Sequence, residues 1–530
     1  MEKTKSFTID EAIDGIGFGK FHWMLMFLVG ISWIGVGMQM MLLSFLGPFV
    51  RCLWTLLPAQ VSILIAVESL GIMCGNILWG CVGDRFGRKK AVLFCTTIIA
   101  LFGVVSAFTQ NISQLCAMRF FVGIGSGGIH VAFLLFVEFV PSERRGFWST
   151  VIQGWWIIGT LAQAVIAMLV LPTLGCRAFV LVSAVPIVVF VCLGFLLVES
   201  PRFLLSAGQL EKAFDILEYV SEMNGKKLPP GELADMCHAD PDEPAEEVKG
   251  ESCENDKEEG SEDLECIELE VIEADLKQPS ERNSKSFLNT FQQLLLGKYA
   301  MITGILLILW IVCALLYYGI VLLTTTLLLD INGCDAENPL TMGDYLLVLA
   351  TTGAEIPGLL LGMVLLDRIG AKPLLALLLL MGAIPCFLLF IPQQTVRVCV
   401  LFLARTTVGG AFHVLYTYTP ECYGTSIRTT AFGFCTAIAR IGAMIAPFVA
   451  NVPPHYGKSW VSFTILGVAA IVGGLSCFFL PSCLPNRRRL KQLDGTFRIL
   501  TTTTEGKHGV IDWLGGSAQY RPLSLYIENW

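Results

Sequence analysis

Long apolar runs constrain this chain of 530 residues more than any other feature. Twelve runs reach about 18 residues, the length at which an α-helix crosses a hydrocarbon core about 30 Å thick. With 15% charged residues and a mean hydropathy of +0.66, the chain is not an ordinary soluble domain. We expect an all-α membrane protein with these spans: 22–50, 60–82, 91–109, 115–140, 147–170, 178–197, 298–329, 343–366, 373–391, 395–420, 430–451 and 459–480.

Basic residues in the short loops predict the orientation of the spans. Loops after even-numbered spans carry nine Lys or Arg, whereas loops after odd-numbered spans carry four. By the positive-inside rule, the even-numbered loops, the long central loop and both termini are cytoplasmic. The predicted organisation is an N-terminal segment over 1–21, a six-helix bundle over 22–197, a cytoplasmic loop over 198–297, a second six-helix bundle over 298–480 and a tail over 481–530.

The net charge of -8 comes from one part of the central loop. Residues 240–275 contain 17 Asp or Glu and only 2 Lys, and the remainder of the chain is basic. Such a composition cannot bury enough apolar surface to fold alone, so we expect disorder over 239–290. This loop is a candidate binding site for regulatory proteins. Because the acidity is local, it implies no basic partner for the chain as a whole, and we expect no nucleic-acid partner.

The eighteen cysteines are scattered through the apolar runs without a CxxC pair. They indicate neither a metal site nor a redox motif, and no other pattern implies a cofactor or a catalytic nucleophile. We therefore do not expect an enzyme. Cys52 and Cys334 fall in the outer loops after spans 1 and 7, where they could form a disulfide or remain two free thiols.

The two halves of the chain repeat three features in the same order. GCVGDRFGRKK (80–90) recurs in weaker form as VLLDRIGAK (364–372), which contains Asp367 and Arg368. The other two repeats are Arg119 with Arg405, and Glu138–Arg145 with Glu421–Arg428. These features predict two pseudo-symmetric six-helix bundles that arose by duplication, with a substrate site between them near the bilayer midplane.

GCVGDRFGRKK resembles the G-x-x-x-D-R-x-G-R-K signature of the major facilitator superfamily, through Gly80, Asp84, Arg85, Gly87 and Arg88. A carboxylate beside several cations at a helix end can latch neighbouring helices in one state and release them in another. The resemblance therefore implies a gate. The alternative is that these basic residues only set the topology.

Two further elements resemble intracellular motifs of the sugar-porter and organic-ion branches of that superfamily. They are Glu138 with Pro141 and Arg145, and Glu199-Ser-Pro-Arg202 after span 6. The resemblance implies salt bridges between helices, and exposed pairs of little energetic weight are the alternative.

A narrower resemblance covers most of the chain. FTIDEAIDGIGFGKFHW, LLYYGIVLLTT in span 7, AEIPG in span 8 and YTPECYGTSIRTTAFG before span 11 are similar to the SVOP-like branch. Its members are relatives of the synaptic vesicle glycoproteins and, distantly, of the organic cation and anion transporters. Two departures matter. Val36 and Gln39 stand where the branch usually shows acidic residues in span 1, and sugar-porter motifs in span 7 and after span 12 are absent.

If the superfamily fold holds, spans 1, 4, 7 and 10 line a central cavity. The candidate substrate-binding residues there are Trp33, Gln39, His130, Tyr317, Tyr318, His413 and Tyr416. The ionisable residues Glu68, Glu355 and Arg440 lie in other spans and are functional candidates because charge in lipid is costly. Glu355 and Arg440 could pair, whereas Glu68 has no obvious partner.

The two histidines occupy equivalent places in the repeat, since each precedes a glutamate by eight residues (His130 and Glu138, His413 and Glu421). We expect them to face each other across the cavity near the midplane. A charged histidine pair could bind an anion or carry a coupling proton. Neutral histidines in helix contacts are the alternative.

Together these features predict a secondary transporter that moves a small organic solute by alternating access, and the resemblance implies that the solute is an organic ion. We expect a monomer in the lipid bilayer of the plasma membrane or of a vesicle. The alternative is a membrane receptor or trafficking protein that keeps the fold without transport.

Overall fold

The computed structural model describes residues 6–142, 145–233, 294–297, 299–328, 342–423 and 428–480, together with two short strands in the tail. The helices of the N-terminal part are α1 (Ile9–Ile16), α2 (Lys20–Leu53), α3 (Pro58–Phe86), α4 (Arg88–Val105), α5 (Ile112–Ser126), α6 (Ile129–Phe139), α7 (Arg145–Leu193), α8 (Pro201–Ser206) and α9 (Leu210–Asn224). Those of the C-terminal part are α10 (Ala300–Leu328), α11 (Met342–Gly353), α12 (Glu355–Ile369), α13 (Ala371–Leu388), α14 (Gln394–Glu421), α15 (Arg428–His455) and α16 (Ser459–Ser476).

Eleven stretches in the described residues are long and apolar enough to cross a membrane, and one of them is long enough to cross it twice. The stretch Arg145–Leu196 has 52 residues, which exceeds by far the about 20 that one crossing needs. At Gly175 the backbone leaves the helical region with a φ of 74°, three residues after Pro172. Spans 5 and 6 therefore meet in a sharp turn, and the predicted twelve spans are confirmed.

The remaining spans follow the sequence in order. Spans 1, 2 and 3 are α2, α3 and α4; span 4 is α5 with α6; span 7 is α10; span 8 is α11 with α12; and spans 9 to 12 are α13 to α16. Many large apolar side chains on their outer faces are exposed, as at Leu174 and Phe478, which suits contact with lipid.

The spans form two six-helix bundles, as predicted. In the first, span 1 packs against the α7 helix and span 2 against span 4; in the second, span 7 packs against span 11 and span 9 against spans 10 and 12. The halves meet mainly where span 2 packs against span 11, and where span 8 packs against α7. This interface places the functional site between the halves.

The N-terminal segment is folded against α9 at the end of the molecule that carries the loops after even-numbered spans, here called the even-loop side. Ile9, Ala12 and Ile13 of α1 are buried in a small core with Leu217 of α9. Strand β1 (Ser6–Phe7) pairs in parallel with β2 (Glu232–Leu233).

The start of α1 has the capping box that its sequence predicts. The Glu11 backbone N–H donates to the Thr8 hydroxyl at 3.2 Å, and the Thr8 N–H donates to the Glu11 carboxylate at 2.9 Å. These bonds fix the helix start beside the even-numbered loops.

In the tail, β3 (Gly509–Leu514) and β4 (Ser517–Pro522) form an antiparallel hairpin. The acidic stretch predicted over 239–290 lies outside the described residues.

Candidate functional site

A buried ion pair joins spans 8 and 10 inside the C-terminal bundle. Arg405 Nη2 lies 2.8 Å from Glu355 Oε1, and the two residues are 3% and 0% exposed. The Tyr317 hydroxyl donates to the other Glu355 oxygen at 3.1 Å. The carboxylate thus has a charged and a neutral donor, which a buried acid needs.

This ion pair is connected to the other half of the molecule. The Trp156 indole N–H, on span 5, donates to the Tyr317 hydroxyl at 2.8 Å. A continuous chain of hydrogen bonds therefore runs from Arg405 through Glu355 and Tyr317 to the N-terminal bundle. Sequence analysis missed Trp156, since it lies in a span not expected to line the cavity.

The N-terminal bundle contains a second buried arginine, but its bonds go to neutral groups. Arg119 is 0% exposed, and its two Nη atoms donate to the Gln39 side-chain oxygen at 2.8 Å and to the Ser106 hydroxyl at 3.0 Å. Gln39 in turn donates to the Ser183 carbonyl at 3.1 Å. Gln39 therefore ties span 4 to spans 1 and 6.

Glu68 lies near Arg119 without bonding to it. The residue is 2% exposed, and neither carboxylate oxygen has a hydrogen-bond partner among the described residues. The charges of Glu68 and Arg119 nevertheless interact. Both halves thus hold a glutamate in their second span and an arginine in their fourth, joined in one half and separated in the other.

Close helix crossings position both pairs. A Cβ at Gly123 would lie 2.2 Å from the Glu68 carbonyl oxygen, and one at Gly358 would lie 2.3 Å from that of Thr406. Without a Cβ, the helices approach until the acidic span meets the arginine-bearing span.

The sequence contains a signal for this arrangement that was missed. Glu68-Ser-Leu-Gly71 and Glu355-Ile-Pro-Gly358 share the pattern E-x-x-G, while Arg119-Phe-Phe-Val-Gly123 and Arg405-Thr-Thr-Val-Gly409 share R-x-x-V-G. The two patterns together identify the pairs.

A cavity of about 30 Å³ lies between the two networks. Its polar lining includes Glu68, Arg405, Tyr317, Tyr318 and Trp156, and apolar residues of spans 1 and 7 complete the wall. The cavity lies at the junction of the two bundles, where the sequence places the substrate site.

Arg440 does not pair with Glu355, and the expectation that the two could pair is wrong. Arg440 Nη1 donates to the Tyr318 hydroxyl at 2.7 Å, with its guanidinium 5.8 Å from the ring centre. Glu355 instead accepts hydrogen bonds from Arg405 of span 10 and from Tyr317 of span 7.

The two histidines have different surroundings. His413 Nδ1 lies 2.9 Å from the Gln153 side-chain oxygen, which joins span 10 to span 5. Neither His130 nitrogen has a hydrogen-bond partner among the described residues, and Arg440 is the charged group that acts on this imidazole. The histidines therefore form no hydrogen bond to each other, and neither lines the cavity.

Two aromatic candidates contribute packing. The Trp33 ring lies 6.0 Å from Phe133 and 6.4 Å from Trp156, between centroids. The Tyr416 ring lies 4.9 Å from that of Trp310. Both residues pack against other aromatic side chains and do not line the cavity themselves.

Charged residues of the predicted gate form a network on the even-loop side. Arg88 lies 3.3 Å from the half-exposed Asp84 carboxylate and 3.4 Å from Glu138, so it links spans 2, 3 and 4. Glu199 accepts a hydrogen bond from the Lys89 backbone N–H at 3.0 Å. The φ of 103° at Gly87 is one that other residues rarely adopt, and a Cβ there would also displace the Glu199 carboxylate.

The N-terminal segment extends this network in a way that the sequence motifs do not show. Asp10 accepts from Arg202 and lies 3.8 Å from Arg145. Asp14 accepts from both the backbone N–H and the hydroxyl of Ser142, at 2.7 and 2.6 Å. Helix α1 therefore joins the loop after span 4 to the segment after span 6.

The remaining gate candidates are less connected or lie outside the described part. The Arg85 guanidinium lies 5.5 Å from the Phe86 ring centre, and Arg368 is exposed. Glu421 is the last residue of α14. The side chains of Asp367 and Arg428 lie outside the described part of the structure. Cys334 is also outside it, and with it the possible disulfide to Cys52.

Comparison with known proteins places this architecture in a family. The profile of the family described as "Sugar (and other) transporter" matches residues 55–489. The chain is 34% identical over 486 residues to organic cation/carnitine transporter 7 of Arabidopsis thaliana, covering 90% of this chain and 94% of that protein. It is 31% identical over 491 residues to the synaptic vesicle 2-related protein of Xenopus laevis, covering 89% and 80%.

The fold has solved counterparts. The xylose transporter XylE from E. coli, in a partially occluded inward open conformation, superposes with a TM-score of 0.62 at 16% identity, over 87% of this chain and 98% of that one. The matched profile and these relatives show that the chain belongs to the sugar (and other) transporter family of the major facilitator superfamily, among relatives that include the synaptic vesicle 2-related proteins.

Proposed function

We propose that this protein is a secondary transporter that moves a small organic ion across a membrane by alternating access. The observation that carries the proposal is the hydrogen-bonded chain from Arg405 to Trp156, which joins the two bundles beside a buried cavity. Charged and aromatic groups in one wall suit a solute with both an ionic and an apolar part. Organic cation/carnitine transporter 7 carries such a substrate class in its name.

The contacts between the bundles support a rocking motion. Besides the Trp156–Tyr317 bond, the Ser62 hydroxyl donates to the Pro447 carbonyl at 3.0 Å, and His413 contacts Gln153. These are a few hydrogen bonds along an otherwise packed interface. Two states of similar free energy can exchange such bonds, which alternating access requires.

The finer features of the transporter follow from the sequence and the relatives. We propose a monomer in a vesicle or plasma membrane, with both termini and the acidic loop in the cytoplasm, where the loop binds regulatory proteins. The synaptic vesicle 2-related names of its relatives support the vesicle membrane. A proton gradient is the proposed driving force.

Uptake by the purified protein in liposomes tests the proposal. Radiolabelled organic cations, organic anions and sugars are offered with and without a pH gradient, and we expect an organic ion to accumulate. Trp156→Phe, which removes the hydrogen bond to Tyr317, should lower uptake severalfold. Trp155→Phe is the matched control, because Trp155 packs against Phe27 within its own bundle.

A second candidate function is a receptor or trafficking protein that keeps the fold without transport. Arg119 is bonded to the neutral Gln39, whereas the SVOP-like branch usually has an acidic residue in this span. Loss of that acid favours a protein that no longer transports. If no solute crosses under any gradient while the protein remains folded, the transport proposal fails and this second function takes its place.

A further inference from the structure

The repeated Glu–Arg pairs are in different states in the two bundles. In the C-terminal bundle, Arg405 and Glu355 are bonded at 2.8 Å. In the N-terminal bundle, Arg119 donates to Gln39 and Ser106, and both oxygens of Glu68 are without a hydrogen bond among the described residues. The same two patterns, E-x-x-G and R-x-x-V-G, build both pairs. The separated Glu68–Arg119 pair is therefore a second arrangement of the structural unit that is bonded in the C-terminal bundle.

Few titratable groups surround Glu68. Spans 1, 3, 4 and 11 pack against its helix, and Arg119 of span 4 is the group whose charge acts on it in the described part of the chain. Arg440 of span 11 is bonded to Tyr318. His130 of span 4 is under the influence of Arg440. The cavity wall adds three titratable side chains: Arg405, Tyr317 and Tyr318.

The other charged groups on these spans are near the membrane surfaces. His22 and Arg51 lie toward the two ends of span 1, Arg88 begins span 3, and His455 ends span 11. Glu138 lies at the even-loop end of span 4, bonded to Arg88. Arg119 is therefore the natural counter-ion of Glu68.

The space beside Glu68 limits what can bind there. In this conformation the cavity of about 30 Å³ holds about two water molecules, and an organic solute needs the wider cavity of another transport state. A buried carboxylate is stable when it is paired and hydrogen-bonded, and among the residues that the structure describes Glu68 has neither an ion-pair partner nor a hydrogen-bond donor. Water can, however, bring a proton to it.

We propose that Glu68 is the residue at which this transporter binds its coupling proton, and that an ion pair between Glu68 and Arg119 forms when the proton leaves. With the proton bound, the acid is neutral and Arg119 remains on Gln39 and Ser106. On release, the O–H bond breaks, the electron pair stays on the carboxylate, and the proton passes to cavity water. Arg119 then turns to Glu68 and leaves Gln39, so that proton release loosens span 1 from span 4. The inference rests on the proposed transport function, because coupling has a meaning only if a solute moves.

Infrared difference spectroscopy of the full-length protein in lipid vesicles tests the protonation without any substrate. Spectra recorded at low and high pH should show the C=O stretch of a buried carboxylic acid in the wild type. Glu68→Gln should abolish this band. Glu211→Gln is the control, since it removes an exposed carboxyl of α9 outside the membrane spans, and it should leave the band in place.

A second variant and an uptake assay distinguish misfolding from loss of the proton-binding carboxyl. Glu68→Asp retains a carboxyl, so a shifted but titrating band shows that loss in Glu68→Gln is not caused by misfolding. In liposomes, a pH gradient should stimulate wild-type uptake severalfold and leave uptake by Glu68→Gln unchanged. A titrating band that persists in Glu68→Gln overturns the inference, even if the wild type transports. If the band depends on Glu68 but no solute moves in the wild type, the transport proposal fails and coupling fails with it, while the proton-binding site remains.

Discussion

Arg405 and Glu355 bring two opposite charges into the interior of the C-terminal bundle, where each has little contact with solvent. The cost of removing both charges from water is repaid only if each meets its partner. The Tyr317 hydroxyl adds a hydrogen bond to the carboxylate. Loss of either charged partner therefore costs more than loss of the pair.

Glu355→Gln should lower the free energy of unfolding by about 3–5 kcal/mol, because it leaves Arg405 buried without a counter-ion. The double variant Glu355→Gln/Arg405→Met should recover most of that loss. Denaturation in detergent micelles measures both, with Glu211→Gln on the exposed face of α9 as the control. If the double variant is as unstable as the single one, the ion pair is not the cause.

Sequence reasoning identified the charged residues of the site but not their partners. Arg405, Glu355 and Arg440 were each predictable as functional because charge is rare in apolar spans. The partners were missed because the halves were aligned on their loop motifs. Glu68 precedes Asp84 by 16 residues, whereas Glu355 precedes Asp367 by 12. This shift of one helical turn hides the equivalence, and a local comparison of the spans is needed to find it.

At the scale of helices, small residues determine how closely the spans approach. A Cβ at Gly71 would lie 2.2 Å from the Phe120 carbonyl oxygen of span 4, whereas one at Gly80 would meet no atom within 4 Å. Both glycines belong to the same helix. Substituting each glycine by alanine therefore separates two contributions to stability. Both substitutions add the helix preference of alanine, but only the one at Gly71 forces two helices apart.

Gly71→Ala should destabilise the protein by about 1–3 kcal/mol, because the backbones of spans 2 and 4 must move apart. Gly80→Ala should be neutral or stabilising, since alanine favours a helix where space allows. Thermal unfolding of both variants in the same detergent compares them. Equal stability of the two variants would show that spans 2 and 4 are not tightly packed at Gly71.

Helix α1 shows which kind of contact holds a surface element in place. Its ion pairs through Asp10 are largely exposed, and such pairs contribute about 0.2–1 kcal/mol. Burial of Ile13, which is 3% exposed, is worth more, and truncation to alanine costs about 2–5 kcal/mol. Burial of the apolar face of α1 therefore contributes more than its ion pairs do.

Ile13→Ala should release α1 from α9 and make the N-terminal segment much more sensitive to protease than Asp10→Asn does. Limited proteolysis of the purified variants, followed by mass spectrometry of the N-terminal fragments, makes the comparison. Greater cleavage in Asp10→Asn than in Ile13→Ala would mean that the ion pairs hold the helix.

At the scale of the whole molecule, hydropathy predicted twelve spans. Spans 5 and 6 follow each other without a loop, and the turn at Gly175 is what separates them. The arrangement of the bundles required the repeat as well. What the sequence did not show is how the bundles touch, because bonds such as Trp156–Tyr317 and His413–Gln153 join residues far apart in the chain and without a common motif.

The predicted gate on the even-loop side is where motion of the whole molecule should depend on one residue. Arg88 is shared between Asp84 and Glu138, so neutralising Asp84 leaves the arginine with one carboxylate partner and should change the relative free energy of the two proposed transport states. Asp84→Asn should therefore lower the maximal rate of uptake severalfold while surface abundance falls little, because Asp84 is half exposed and contributes little to folding. Uptake per molecule, normalised to surface biotinylation and compared with Glu211→Gln, gives the answer. Parallel loss of uptake and abundance in Asp84→Asn would assign this residue to folding, and the ion network would then be a structural brace rather than a gate.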